Sequence, residues 1–98
     1  MRMMLVVEMD TEASNRAVAD GTMGEVMERI LSKLEPEAAY FHPRGGRRAF
    51  TLVVDAPDGA SLPSLVEPFW LELNAHVDAF PCMNAEELRE GLGRIAGG

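Results

Sequence analysis

Two adjacent glycines, Gly45-Gly46, lie between "AAYFHPR" and "RRAFTLVVD" near the middle of a 98-residue chain. Glycine enters positive backbone angles without steric cost, so this pair between two β-prone runs predicts a tight hairpin. Residues 38–43 and 47–55 then become antiparallel neighbours. The rest of the chain must be arranged around them. On either side of the hairpin comes a helical pattern, and beyond each helical pattern a strand. Residues 2–10, "RMMLVVEMD", are apolar, β-branched at the centre and free of turn residues, and read as the first strand. Residues 75–83, "AHVDAFPCM", alternate and read as the last, with Pro81 indicating an edge position or a bulge.

The intervening segments carry helix signals. Asp10 and Thr11 offer caps for a stretch from Glu12 to Asp20, which "DGT" interrupts. Thr22 and Glu25 have the spacing of a capping box. Met23, Val26, Met27, Ile30, Leu31 and Leu34 follow at three- and four-residue steps and form one apolar stripe. Pro36 stops that helix, because the residue before a proline is pushed out of helical angles. A further helix is expected over 61–74, with Ser64 and Glu67 at capping-box spacing and Leu65, Val66, Phe69 and Leu73 inward. Pro68 falls in its first turns, where it is tolerated or causes a bend. Asn84 and Glu87 open a last helix, and Leu88, Leu92 and Ile95 give it one apolar side. The order β-α-β-β-α-β plus a short terminal helix specifies a ferredoxin-like α+β fold: a four-stranded antiparallel sheet with helices on one face. A length of 98 residues suits a single domain spanning the chain.

Side chains alternate between the faces of a strand. Leu5, Val7 and Met9, Phe50, Leu52 and Val54, and Val77 and Ala79 lack charge and belong beneath the helices. Val6, Glu8, Thr51, Val53, Asp55, His76, Asp78 and Phe80 are left for the open face. For 38–43 the pattern leaves open which of Tyr40 with His42, or Phe41, turns inward. A face that is half apolar and half ionisable is too apolar to be left to water. The same face of a second copy is its natural cover, since a two-fold dimer meets by one patch on both chains. Eight strands would then enclose a shared interior.

Composition narrows the function classes. A net charge of −7 opposes nucleic-acid binding, because phosphates are repelled. The single Cys82 excludes an internal disulfide and fits a reducing, cytoplasmic setting. No apolar run reaches the ~18 residues that cross a bilayer. The short apolar start, broken by Glu8 and Asp10, is not a signal peptide. Seven methionines are many, and core filling accounts for them better than an adaptable binding surface.

The strand order, the length and the mixed open face resemble the dimeric α+β barrel superfamily, which includes muconolactone isomerases and small quinone-forming monooxygenases. More closely, "MDTEASNRAVADGT", "PEAAYF", "FTLVVD" and "EPFWLELNAHVDAFPCMNAEEL" are similar to a group of short actinobacterial proteins without assigned activity. The resemblance covers nearly the whole chain and brings no catalytic residue with it. It implies a homodimer and a small aromatic or lactone ligand held between helices and sheet, without cofactor. By that analogy the chain is a small-molecule-binding protein or a cofactor-independent isomerase- or monooxygenase-like enzyme. The rival reading is a non-catalytic module whose sheet face serves assembly.

Three groups of residues carry the candidate chemistry. His76 and Asp78, two apart on one strand, with Glu8 on a neighbouring strand, can form a proton-transfer group, since a carboxylate fixes a histidine's tautomer and raises its basicity. They equally suit a polar rim or an interface hydrogen-bond set, and with no second histidine beside them no metal site is expected. His42, Arg44, Arg47 and Arg48 surround the hairpin in an otherwise acidic chain. Arginines so placed can grip a carboxylate or phosphate bidentately, or stay solvated and pair with the chain's own acids. Trp70 and Tyr40 can wall a flat ligand or serve as core or interface. Asn15 and Arg16 can form a polar pocket mouth or a capped surface. Cys82 has no histidine partner in sequence and reads as a small apolar residue.

Overall fold

The computed structural model of the chain describes residues 1–97. Strands β1 (Arg2–Glu8), β2 (Ala38–Arg44), β3 (Arg47–Asp55) and β4 (His76–Pro81) form one antiparallel sheet in the order β2-β3-β1-β4. Helices α1 (Thr11–Asp20) and α2 (Met23–Leu34) connect β1 to β2, and α3 (Leu62–Leu73) connects β3 to β4. Helix α4 (Ala85–Ala96) follows the sheet. The architecture is the ferredoxin-like α+β fold that the element order specifies. Prolines occupy both edge strands, Pro43 in β2 and Pro81 in β4, where a missing N–H costs no ladder bond.

Gly45 and Gly46 take φ of +57° and +77°, the two positive angles of a two-residue hairpin turn. The turn fixes the β2–β3 register, Phe41 opposite Phe50 and Tyr40 opposite Thr51. That register settles the face left open by the sequence: Phe41 lies on the helix side, with its ring centroid 5.7 Å from that of Phe50. Tyr40 and His42 share the open side.

The core is one layer between helices and sheet. Leu5, Val7, Phe50, Leu52, Val54 and Phe69 are essentially inaccessible, and Ile30, Leu65, Val66 and Leu73 close over them from α2 and α3. Phe69 meets Phe50 edge-to-face at 5.6 Å and 64°, the arrangement aromatic quadrupoles favour. Each such side chain contributes roughly 1.5–3 kcal/mol by leaving water.

Several local details differ from the sequence reading. Strand β1 ends at Glu8, because Asp10 is already extended and caps α1 by accepting from Ala13 N–H at 2.9 Å. Thr22 does not cap α2 with its side chain. Its hydroxyl and amide instead both donate to Asp20, at 2.7 and 3.0 Å, and hold that carboxyl below the usual carboxylate range. Ser64 does not open α3 either. The helix begins two residues earlier, after a 3-10 turn (Gly59–Ser61) that Asp58 caps through Ser61 N–H at 3.0 Å. The capping box of Asn84 and Glu87 is present in full.

Helix α4 stands off the body. None of its residues is buried, and Leu88, Leu92 and Ile95 are 47%, 55% and 80% exposed. A compact chain of this length has a radius of gyration near ~13 Å; this one has 15.7 Å and is 57 Å long.

At the end of α2, Glu35 has φ +45°, a left-handed conformation that costs a residue with a Cβ about 1 kcal/mol or more. Glu35→Gly should therefore stabilise the chain by a few tenths to ~1 kcal/mol, after glycine's own entropic cost is deducted. A urea midpoint that falls instead would show that the Glu35 side chain contributes more than its backbone strain costs.

Candidate functional site

The hairpin end of the sheet carries two separate polar groups, one on each face. The separation follows from strand geometry: Arg47 and Arg48 are consecutive in β3 and must point to opposite sides.

On the open face, Arg44 and Arg47 are direct cross-strand partners. Two like charges so placed repel, and Glu8 of β1 relieves them. Arg47 Nη1 donates to Glu8 Oε1 at 3.3 Å, and Arg44 Nε lies 3.9 Å from Glu8 Oε2. Arg44 continues across the sheet to Asp78, with Nη2 3.6 Å from Oδ2. His76 sits opposite Glu8 in the β1–β4 register, and its Nε2 is 3.5 Å from Asp78 Oδ1. Glu8, His76 and Asp78 are thus brought together as the alternation requires. Two guanidinium groups join them, and His76 is exposed. The 3.5 Å between His76 Nε2 and Asp78 Oδ1 is longer than the ~2.6–3.2 Å of a formed proton-transfer contact, and such contacts tighten when a ligand binds. The arrangement is a charge-balanced surface lattice. Among the described residues, no three histidine, cysteine or acidic side chains are grouped to hold a metal ion.

His42 belongs to the same face but not to this lattice. Its Nδ1 lies 3.0 Å from the Pro43 carbonyl and its Nε2 2.7 Å from Thr51 Oγ1. A carbonyl only accepts, so Nδ1 carries the proton; in the neutral ring the Thr51 hydroxyl then donates to Nε2. Tyr40 stands beside Thr51 on the edge strand, 71% exposed.

On the helix face, Arg48 Nη1 donates to Ser14 Oγ at 3.0 Å and to Asn15 Oδ1 at 2.7 Å. Ser14 is the one buried polar side chain among the described residues, and its hydroxyl donates onward to the Thr11 carbonyl at 3.2 Å. Arg48 and Asn15 line a cleft of about 650 Å³ between the hairpin and the start of α1, with Met9, Phe41, His42, Arg47 and Ala49 also in its walls. The sequence offers Asn15 and Arg16 equally as a polar pocket mouth or as capping and surface residues; of the two, Asn15 lines the cleft, and Ser14 was missed. The available signal was its position one residue before Asn15 on the sheet-facing side of α1.

Trp70 is not part of either group. It is half exposed on α3 and, with Val66, Val77 and Ala79, lines a shallow groove beside β4. Arg16 lines none of the described clefts. Cys82 is a free, half-buried thiol just past β4, whose backbone N–H donates to the Arg2 carbonyl.

No protein-family model matches the chain, and no curated protein matches it. Among solved structures, the de novo designed protein Ferredog-Diesel aligns at 6% identity over 82% of this chain and 83% of its own, with a TM-score of 0.44. The ferredoxin-like assignment stands on the strand order and register of the chain itself. No helix is long and apolar enough to cross a membrane among the described residues.

The Glu8–Arg47 contact is exposed on its arginine side, so it belongs with surface pairs worth ~0.2–1 kcal/mol. A double-mutant cycle with Glu8→Gln and Arg47→Gln, read by urea unfolding, should return a coupling in that range at low salt. With the open face in water it should vanish at 1 M salt, where the Debye length falls to ~3 Å. A coupling that survives high salt would mean the pair is shielded from water and the open face is covered.

Proposed function

We propose that the chain is a cytoplasmic, homodimeric small-molecule-binding protein whose two copies meet by their open sheet faces. The observation that carries this reading is the one-sidedness of the sheet. Helices cover Leu5, Phe50 and Leu52 completely, while Tyr40, Phe80 (42% exposed) and the half-buried Met4 and Val53 lie across the other face with no element of the described residues above them. Apolar area of that kind is normally an interface. The likeness to the dimeric α+β barrels, and to a group of short actinobacterial proteins, supports the same arrangement and a small aromatic or lactone ligand. An isomerase- or monooxygenase-like activity would rest on that likeness alone, because both acids of the open-face lattice already meet guanidinium groups.

The size of the face bears on the dimer. Four strands ~4.8 Å apart and six residues at ~3.3 Å each make a patch of roughly 400 Å², about half of the ~800 Å² per partner in a standard interface. The apolar side of α4, about 18 Å long for its 12 residues, would extend that area if each helix lay along the partner. A module that only assembles is the second reading, and the filled interior between helices and sheet favours it.

Light scattering of the purified chain should give about twice 10.7 kDa at micromolar concentration. Tyr40→Asp with Phe80→Asp should shift the mass to a single copy without loss of helical circular dichroism. A wild-type chain that stays monomeric under those conditions removes the proposal. Removing the segment from residue 84 onward should weaken the dimer at least tenfold if α4 takes part.

A further inference from the structure

We infer that the cleft between the β2–β3 hairpin and α1 is a binding site for a small organic carboxylate with a flat apolar body, gripped by Arg48. This rests on the ligand-binding half of the function proposed above and not on the dimer, because Arg48 and its partners Ser14 and Asn15 lie on the helix side of the sheet.

Charge is the first ground. Although the chain carries sixteen acids against nine cations, no carboxylate lines this cleft. Other surface clefts each contain at least one: Glu37 and Asp55 in one, Glu72 in another, Glu67 beside Trp70. Arg2, Arg29, Arg44, Arg47 and Arg94 each meet an acid. Arg48 meets none among the described residues. Arg16 and Arg89 also lack one, but they line none of these clefts. Arg48 is exposed, and the lining around it leaves its positive charge without an acid in a concave, partly apolar place.

Geometry is the second ground. Both hydrogen bonds of Arg48 come from Nη1, to Ser14 and Asn15. Ser14 is 2% exposed and is itself tied to the Thr11 carbonyl, so the guanidinium is held at one corner by a fixed support. Nε and Nη2 have no partner among the described residues. These two parallel N–H groups form the edge that binds a carboxylate side-on, with two hydrogen bonds at once. Holding the fork beforehand lowers the ordering cost of binding.

The walls select the rest of the ligand. Phe41 is 56% exposed and its ring is packed against Phe50, which makes it a fixed aromatic surface. Met9, Pro43 and Ala49 add apolar area. A volume near 650 Å³ suits a small molecule. Arg47 also lines the cleft but is engaged by Glu8, so a fully ionised phosphate would find one free guanidinium edge among mainly apolar walls, and a monocarboxylate with an aromatic body is the better match.

Benzoate, titrated into the full ¹⁵N-labelled chain, tests this by NMR. The Arg48 Nε–H and Asn15 side-chain amide signals should move saturably, with a dissociation constant in the millimolar range or tighter. Binding should weaken at least tenfold in Arg48→Gln and several-fold in Arg48→Lys, which keeps charge but loses the fork. Phe41→Ala should weaken it as well, Arg89→Gln should leave it unchanged, and acetate should bind at least tenfold more weakly than benzoate. Absence of saturable shifts, equal affinity in Arg48→Gln, or acetate binding as well as benzoate would overturn the site. The spectrum of each variant reports whether it is folded, and Arg48→Lys and Phe41→Ala test fork and wall separately. Light scattering on the same samples keeps the two proposals apart: a monomer that binds benzoate refutes the dimer alone, and a dimer blind to benzoate refutes the cleft alone.

Discussion

The pairing of β1 with both of its neighbours is the constraint on which the rest of the molecule depends. β1 lies between β3 and β4, so its backbone groups are satisfied on both sides by strands that come later in the chain. Leu5 and Val7 are wholly buried beneath the helices, and Val6 is only 9% exposed on the opposite face. Neither long-range pairing can form without the crossovers that return the chain to it, and those crossovers are the helices that roof the sheet. Helices α1, α2 and α3 therefore fall on one side. An open face follows from the topology, whatever that face is used for.

The alternation that sorts residues between faces also decides what chemistry can be assembled. Glu8, His76 and Asp78 gather because positions of equal parity lie on one side of paired strands. The hairpin then brings Arg44 opposite Arg47 on that same side. Repulsion between two adjacent guanidinium groups needs a nearby anion, and Glu8 is the closest one. A residue that on its strand alone looks like part of a proton-transfer group is thus engaged in balancing the hairpin. The triad was legible in the sequence. Its neutralisation was not, because that depends on how far Arg44 reaches across three strands.

The fold was legible for a related reason: its signals are local and mutually consistent. Gly45-Gly46, the stripe from Met23 to Leu34 and the alternation of β3 each specify one period, and each period agrees with the same layer. Where the reading failed, two local signals competed. Thr22 had the spacing of a cap, but Asp20 offered its hydroxyl and amide a closer carboxylate. Ser64 had the same spacing, but Asp58 had already turned the chain into a helix. The face of β2 could not be read from "AAYFHP" because both parities contain an aromatic residue; only the register set by the turn decides it. Arg48 was grouped with the other hairpin arginines by proximity in sequence, although its odd-even relation to Arg47 already placed it on the other face.

That one-residue difference separates two uses of positive charge. On the open side a guanidinium faces its own chain's acids, and whatever covers that face meets a balanced, half-apolar surface. On the helix side the start of α1 offers Arg48 only neutral acceptors, a serine hydroxyl and an asparagine carbonyl. Neutral acceptors orient a guanidinium without cancelling its charge. An exchange of Asn15 for aspartate would cancel it while preserving the hydrogen bond, which makes the chemistry of that single position decide whether the cleft attracts an anion or repels one.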